Sequence, residues 1–164
     1  ELPSEPVDLE GIVQEARDFY VNSRGKKEQD LRIILPDRIP RINGDKAQLS
    51  QVINNLLSNA FKYGRKNEPV TINVAPNETG SMLRISVIDA GDGIAAEHIP
   101  RLSERFYRVD KGRSKSIGGT GLGLAIVKHI SERHGGRMEI SSTVGIGTTV
   151  SIWLPIVKQA INAT

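Results

Sequence analysis

The chain has 164 residues, of which 38% are hydrophobic and 25% charged, which is enough to bury the core of one domain. It contains no cysteine, so disulfides, thiolate metal sites and cysteine nucleophiles are excluded. The formal net charge of +3 is mild, no apolar run approaches the roughly 18 residues that span a bilayer, and the acidic, proline-bearing start is unlike a signal peptide, so we expect a soluble domain.

The hydrophobic pattern of the first half predicts two helices and a strand. Residues 8–23 carry apolar side chains at three- and four-residue steps, which predicts an amphipathic helix with Asp8 as its N-cap. LRIIL (31–35) is a short apolar run between polar segments and predicts a strand. A second helix, with a strong apolar stripe, is expected between Asp45 and Gly64.

The second half predicts two hairpins and a third helix. VTINVAP (70–76) and MLRISVID (82–89) alternate as strands do, and the turn-rich NETGS joins them. After a weakly structured stretch around IPRLSERF, a helix is expected at about 122–134, and RMEISST and TTVSIWLP form a second hairpin around VGIG. Because the strands are connected largely as hairpins, we expect a mixed or antiparallel sheet layered with helices rather than a doubly wound parallel sheet.

One face of the second predicted helix carries polar side chains of an unusual kind. Asn55, Asn59, Lys62 and Tyr63 are three or four residues apart and therefore project together. Asparagine is a poor helix former, whereas its carbonyl oxygen is a hard ligand suited to Mg²⁺, and a lysine nearby could neutralise phosphates. An ordinary solvent-facing surface is the alternative interpretation.

The segment DAGDGI (89–94) places a carboxylate at the end of an apolar strand. Gly91 and Gly93 follow Asp89 at alternate positions, where a flat ring could approach the backbone closely. A plain turn is the alternative, and an EF-hand loop is excluded because its acidic residues at positions 3 and 12 are missing.

A glycine-rich segment, GGTGLGLA (118–125), precedes the third predicted helix. It matches neither the Walker A pattern nor G-x-G-x-x-G. A glycine-rich approach to a helix N-terminus nonetheless offers unpaired N–H groups and the positive end of the helix dipole to a phosphate, although a flexible joint remains open. The basic run before it (105–115) could be a solvated surface, a nucleic-acid patch or a site for a small polyanion, and Arg108 is free to reach an anion.

Taken in order, NLLSNAFKY, DAGDGI, ERFYRVD and GGTGLGL resemble the N box, first glycine box, F box and second glycine box of the ATP-binding domain of bacterial sensor histidine kinases. That domain is part of the wider group of gyrase, Hsp90 and MutL ATPases. The resemblance implies an α+β fold of the Bergerat type, a two-layer α/β sandwich in which a mixed sheet of about five strands packs on about three helices. It also implies one ATP-binding domain over residues 1–164, with a lid at about 107–120 and with the dimerisation and phosphoacceptor domain absent. The boxes are most similar to the phosphate-regulon sensor branch.

The resemblance also assigns roles to residues. Asn59 would bind Mg²⁺ with help from Asn55, and Asp89 would accept a hydrogen bond from the adenine amino group. Asn55, Lys62 and Arg108 would be the catalytic residues. The other contacts to ATP would come from Tyr63 and Thr148 near the adenine, Gly91 and Gly93 beneath it, and Gly119, Thr120, Gly121, Leu122, Gly123 and Leu124 around the phosphates.

Position 55 indicates which reaction to expect. The hydrolysing members of the group have a glutamate there as general base, whereas Asn55 cannot take a proton from water. The expected reaction is transfer of the γ-phosphoryl group of ATP to a histidine, helped by positioning and charge stabilisation. None of the three histidines here lies in a context resembling the acceptor motif, so we expect structural or surface roles for His98, His129 and His134.

The resemblance further implies partners and a location. We expect two partners, the histidine-containing dimerisation domain of the same protein and a response regulator, and no nucleic acid. The isolated domain should be a monomer that does not phosphorylate itself. It should lie in the cytoplasm, as part of a protein anchored in the bacterial inner membrane. Two alternatives are a degenerate ATP-binding regulatory module and a serine kinase of the anti-sigma type. A nucleic-acid binder that uses residues 105–115 is a more distant third.

Overall fold

The computed structural model describes residues 1–104 and 123–158, apart from the side chain of Glu28. Within these residues the helices are α1 (Leu9–Ser23), α2 (Lys46–Tyr63) and α3 (Gly123–Arg133), and the strands are β1 (Leu31–Ile34), β2 (Val70–Pro76), β3 (Met82–Asp89), β4 (Arg137–Thr143) and β5 (Gly147–Pro155). Two short 3₁₀ turns lie at Glu28–Asp30 and Ile99–Arg101. These bounds agree with the sequence predictions to within one residue.

The helix ends follow from the capping residues in the sequence. The Oδ1 atom of Asp8 accepts a hydrogen bond of 3.0 Å from the N–H of Gly11, and Oδ1 of Asp45 accepts one of 3.0 Å from the N–H of Gln48. Each such cap stabilises its helix by about 1 kcal/mol. At the other end of α2, the N–H of Gly64 donates to the carbonyl oxygen of Ala60 over 2.8 Å. The predicted N-cap at Asp8 and the predicted end of α2 at Gly64 are therefore confirmed, and Asp45, which was expected to precede α2, is its N-cap.

The five strands form one mixed sheet in the order β1-β2-β3-β5-β4. The β1–β2 pair is parallel, and the chain passes from one strand to the other through α2. The remaining three pairs are antiparallel, and two of them are the hairpins β2–β3 and β4–β5. The predicted mixed sheet, with strands connected largely as hairpins, is confirmed.

A single apolar cluster joins the sheet to the helices. Its nearly completely buried sheet residues include Ile72, Val74, Ile85, Val87 and Ile152, and those of the helices include Ile12, Val13, Leu49, Ile53 and Leu57. Burial of each such side chain contributes about 1.5–3 kcal/mol. The fold is thus the expected two-layer sandwich, with the polar face of α2 left beside the end of β3. Among the described helices, none combines the length and the apolar character that crossing a bilayer needs.

Candidate functional site

The end of α2 lies directly against the end of β3. A Cβ atom at Gly91 would collide with the carbonyl oxygen of Tyr63 and would lie 2.9 Å from Oδ1 of Asp89. A Cβ atom at Gly64 would lie 3.3 Å from Cβ of Asp89. This close approach depends on glycine at both positions. It places the backbone of Tyr63 beside the first glycine box.

The carboxylate of Asp89 is held as an oriented hydrogen-bond acceptor. Its Oδ1 atom accepts a hydrogen bond of 2.9 Å from the N–H of Gly91. Burial raises the pKa of Asp89, and hydrogen bonds from the backbone N–H groups of Gly91 and Thr148 partly offset that rise. A half-buried carboxylate that two backbone donors orient is well suited to accept a further hydrogen bond from a ligand amine.

Thr148 faces Asp89 across the β3–β5 ladder and is 9% exposed. Its Oγ1 atom lies 2.8 Å from Oγ of Ser142, which also accepts a 2.8 Å hydrogen bond from the N–H of Ile94. The glycine loop bends towards this cluster at Gly93, which has a φ of +76° and where a Cβ atom would collide with the carbonyl oxygen of Thr143. The first glycine box and the start of β5 therefore form one polar cluster.

The two asparagines of α2 lie next to the start of α3. Both side chains are half-buried, and the Nδ2 atom of Asn55 is buried without a hydrogen-bond partner among the described residues. A Cβ atom at Gly123 would lie 3.7 Å from Nδ2 and 3.9 Å from Oδ1 of Asn59, which is ordinary van der Waals contact. The N-terminus of α3 is thus brought to the amide face of α2.

The predicted site residues divide into four groups. Tyr63, Asp89, Gly91, Gly93 and Thr148 lie together at one end of α2. Further back along the same helix Asn59 meets Gly123, and Asn55 lies one helical turn from Asn59. Lys62 is exposed near the end of α2, and the side chain of Leu124 packs partly buried against the core. Arg108, Gly119, Thr120, Gly121 and Leu122, and with them the predicted lid at 107–120, lie outside the described residues.

Sequence reasoning missed the contribution of Ser142. Ser142 lies on the same face of β4 as Met138 and Ile140, because side chains two residues apart in a strand point to the same side. All three are partly buried, and Ser142 is the polar one. The sequence does contain a sign of this role: a serine occupies a position where the alternation of the strand predicts an apolar side chain. Sequence reasoning also missed Arg65, whose Nη2 atom donates a 2.8 Å hydrogen bond to the carbonyl oxygen of Gly145 and so ties the segment after α2 to the β4–β5 turn.

The three histidines have the structural or surface positions that were expected. His134 is 4% exposed, its Nε2 atom accepts a 3.0 Å hydrogen bond from the N–H of Asp45, and its Nδ1 atom lies 2.9 Å from the carbonyl oxygen of Ile130. His134 therefore joins the end of α3 to the start of α2. His129 is exposed on α3, and Nε2 of His98 lies 3.6 Å from a carboxylate oxygen of Glu97.

The fold and this site are shared with a known family. The family model described as "Histidine kinase-, DNA gyrase B-, and HSP90-like ATPase" matches residues 44–158, and the chain belongs to this family. The chain is 44% identical over 135 residues to the sensor histidine kinase WalK of Bacillus subtilis, covering 81% of this chain and 22% of WalK. It is 42% identical over 149 residues to the phosphate regulon sensor protein PhoR of Pseudomonas aeruginosa, covering 89% of this chain and 32% of PhoR.

A solved structure supports the same assignment. The crystal structure of full-length ShkA in complex with AMPPNP superposes with a TM-score of 0.78 at 29% identity, covering 98% of this chain and 33% of that chain. The chain thus spans about a fifth to a third of the length of these three proteins.

The chain is therefore a histidine-kinase-type ATPase domain, and the resemblance and the α+β sandwich predicted from the sequence are confirmed. The alternatives of a regulatory module and a serine kinase are not favoured, because the relatives are named as sensor histidine kinases. Relatives with other names match about as well as the phosphate regulon sensor does, so the branch stays a prediction.

Proposed function

We propose that this domain binds Mg-ATP and donates the γ-phosphoryl group to a histidine on a helical dimerisation domain in two-component signalling. One observation carries the proposal: α2 ends against Asp89 while its amide face, at Asn59, meets Gly123 at the start of α3. The eight residue steps from Asn55 to Tyr63 span about 12 Å of helix, which suits a nucleotide that extends from base to phosphates.

The adenine would bind at the Asp89 end. The carboxylate oxygens, oriented by Gly91 and Thr148, would accept from the exocyclic amine of adenine. Guanine has an oxygen in place of that amine. This oxygen and the Asp89 carboxylate are both acceptors, so no hydrogen bond could form between them and guanine should bind less well. Gly91 and Gly93 would let the base approach the backbone, and the 39% exposed Tyr63 ring would lie near it.

The phosphates and their metal would bind at the other end. Asn59 offers a carbonyl oxygen of the kind that Mg²⁺ prefers, and the unpartnered Nδ2 atom of Asn55 is free to donate to a water or phosphate beside it, so the donor set fits Mg-ATP. When bound, Mg²⁺ would neutralise phosphate charge. The N–H groups at the start of α3, at Gly123 and Leu124, would favour a phosphate through the helix dipole. Lys62 would add a positive charge.

The reaction would depend on positioning and charge rather than on a protein base. The bond between the γ-phosphorus and the β-bridging oxygen breaks, a bond to the histidine nitrogen forms, and ADP leaves. Asn55 has no proton acceptor of suitable pKa, so water is not activated in competition with the histidine. Arg108 and the segment with Gly119, Thr120, Gly121 and Leu122 are proposed to complete the phosphate site as a lid.

The wider setting is part of the proposal. In a full-length sensor kinase, this domain would act on the dimerisation domain of the same protein, and the phosphoryl group would pass to a response regulator. We place the domain in the cytoplasm of a protein anchored in the bacterial inner membrane, and we expect the isolated chain to be a monomer.

The binding step is tested by titration with a non-hydrolysable ATP analogue, with and without Mg²⁺. We expect Asp89→Asn to weaken binding about 10- to 100-fold, because a neutral amide replaces the charged carboxylate, which is the stronger hydrogen-bond acceptor. Asp37→Asn removes the same charge at an exposed loop position and is the matched control. Unchanged affinity in Asp89→Asn would show that the adenine assignment is wrong.

The transfer step is tested with labelled ATP and a separate histidine-bearing dimerisation domain from a sensor kinase. We expect acid-labile label on that domain and none on this chain alone. Stoichiometric label on the isolated chain would contradict the proposal, and binding without transfer would instead indicate a regulatory module.

A further inference from the structure

Ser142 is at the centre of three short polar contacts. Its Oγ atom lies 2.8 Å from the N–H nitrogen of Ile94, 3.0 Å from the carbonyl oxygen of Gly147 and 2.8 Å from Oγ1 of Thr148. Ser142 thereby links three parts of the chain: the loop after β3, the start of β5, and β4, on which it lies.

The directions of these three hydrogen bonds follow from the capacity of a hydroxyl group. A serine hydroxyl has one proton and two lone pairs, a backbone N–H can only donate, and a carbonyl oxygen can only accept. All three contacts can be hydrogen bonds at the same time in one arrangement only: the Ser142 hydroxyl donates its proton to the carbonyl oxygen of Gly147 and accepts from the N–H of Ile94 with one lone pair. We adopt this arrangement because polar groups removed from water are normally all paired. In this arrangement the second lone pair of Ser142 accepts the proton of the Thr148 hydroxyl along the 2.8 Å contact. The one proton and both lone pairs of the Ser142 hydroxyl are then all used in hydrogen bonds.

This direction decides what Thr148 can offer to a ligand. Its backbone N–H donates to Asp89, and its hydroxyl proton is turned to Ser142, so its Oγ1 atom has only lone pairs left. Asp89, opposite it in the ladder, is likewise an acceptor. The two neighbouring side chains then present acceptors together.

We propose that Ser142 is a positioning residue that holds the hydroxyl proton of Thr148 away from the ligand and so makes the site select 6-amino purines over 6-oxo purines. This inference rests on the proposed function, in which Asp89 and Thr148 lie beside the base. Ser142 itself does not contact the nucleotide.

The test compares the affinities for ADP and inosine diphosphate (IDP), which differ at position 6, amino against oxo, and at N1, which is an acceptor in ADP and an N–H donor in IDP. The N1 difference is the same in every variant, so the readout is the change in the affinity ratio from one variant to the next. In Ser142→Ala, the hydroxyl of Thr148 loses its acceptor and can rotate to donate to a 6-oxo group. We expect the ratio of the two affinities, measured by calorimetry in Mg²⁺, to fall about 5- to 10-fold, the size of one hydrogen bond. Ser142→Thr, which keeps the hydroxyl, should retain the wild-type ratio.

Two further variants separate positioning from a general loss of structure. Ser141→Ala, at an exposed neighbouring position, should leave the ratio and the melting temperature unchanged. In a Thr148→Val background, Ser142→Ala should have no additional effect on the ratio, because the hydroxyl that it orients is gone. Thr148→Val alone should lower the ratio, and this variant keeps the test valid if Ser142→Ala does not fold.

The outcomes distinguish the two proposals. The role of Ser142 is overturned if the wild-type chain selects ADP and Ser142→Ala keeps the wild-type ratio of affinities. It is also overturned if Ser142→Ala lowers that ratio by as much in the Thr148→Val background as in the wild type. An unchanged ratio in Thr148→Val overturns it too. A wild-type chain that binds ADP no better than IDP overturns this inference together with the assignment of the adenine to Asp89, whereas failure to bind an ATP analogue at all overturns the proposed function.

Discussion

Gly123, the first residue of α3, faces the side chain of Asn59 on α2, and a Cβ atom at Gly123 would lie 3.7 Å from Nδ2 of Asn59. A methyl group at Gly123 would make ordinary van der Waals contact with the Asn59 amide, and we expect the further carbons of a larger side chain to press on that amide. We therefore expect Gly123→Ala to keep the fold and the nucleotide affinity. Gly123→Leu should displace the Asn59 amide and lower Mg²⁺-dependent affinity for an ATP analogue about 10-fold, as measured by calorimetry. Equal affinity in both variants would argue against a phosphate site at this contact.

Asn59 can be tested against a neighbour on the same helix. Asn59→Ala removes the proposed metal ligand, and we expect the gain in affinity that Mg²⁺ provides to fall about 10- to 100-fold, because the oxygen ligand is not replaced. Asn54→Ala makes the same change on an exposed face of α2 and should leave that gain unaltered. The measurement is a titration of each variant with an ATP analogue, with and without Mg²⁺. A similar loss in both variants would indicate an effect on the helix rather than on metal binding.

Asp89 is expected to reduce stability while it supports binding. Burial raises its pKa, so the folded state disfavours the ionised carboxylate relative to the unfolded state. The resulting cost is fully present above the raised pKa and disappears as the pH falls through it towards the ordinary value. Asp89→Asn should therefore be at least as stable as the wild type at pH 8, and any advantage should shrink in acid. Urea unfolding at several pH values measures this, and a variant that is less stable only at high pH would contradict it.

His134 is expected to stabilise the fold and not to accept a phosphoryl group, although it is a histidine. His134 is 4% exposed and accepts a hydrogen bond from the half-buried N–H of Asp45, so His134→Ala removes the partner of that N–H and leaves a cavity. We expect a loss of about 2–4 kcal/mol in the free energy of unfolding. His129→Ala, on the exposed side of α3, should stay within about 0.5 kcal/mol of the wild type. The measurement is denaturant unfolding of both variants. Equal free energies of unfolding would show that the hydrogen bond from Asp45 to His134 does not stabilise the packing of α2 and α3.

Much of the secondary structure could be predicted because its causes are local. The caps at Asp8 and Asp45 act on N–H groups three residues away, and the apolar steps of the helices and strands repeat over two to four residues. The family could also be predicted, because each of its boxes is a short run of residues in a defined order. The roles of Arg108 and of the glycines from 119 to 121 remain predictions, since residues 105–122 lie outside the described part of the chain.

The sequence alone therefore determined the elements, the mixed sheet and the family, whereas the tertiary structure decided which polar groups meet. His134 and Asp45 are 89 residues apart in the chain, and Ser142 and Ile94 are 48 apart, yet each pair is joined by a hydrogen bond. Such pairings depend on how elements pack, and no local period encodes them. The same is true of Gly123 and Asn59, which are adjacent only because α3 packs against α2.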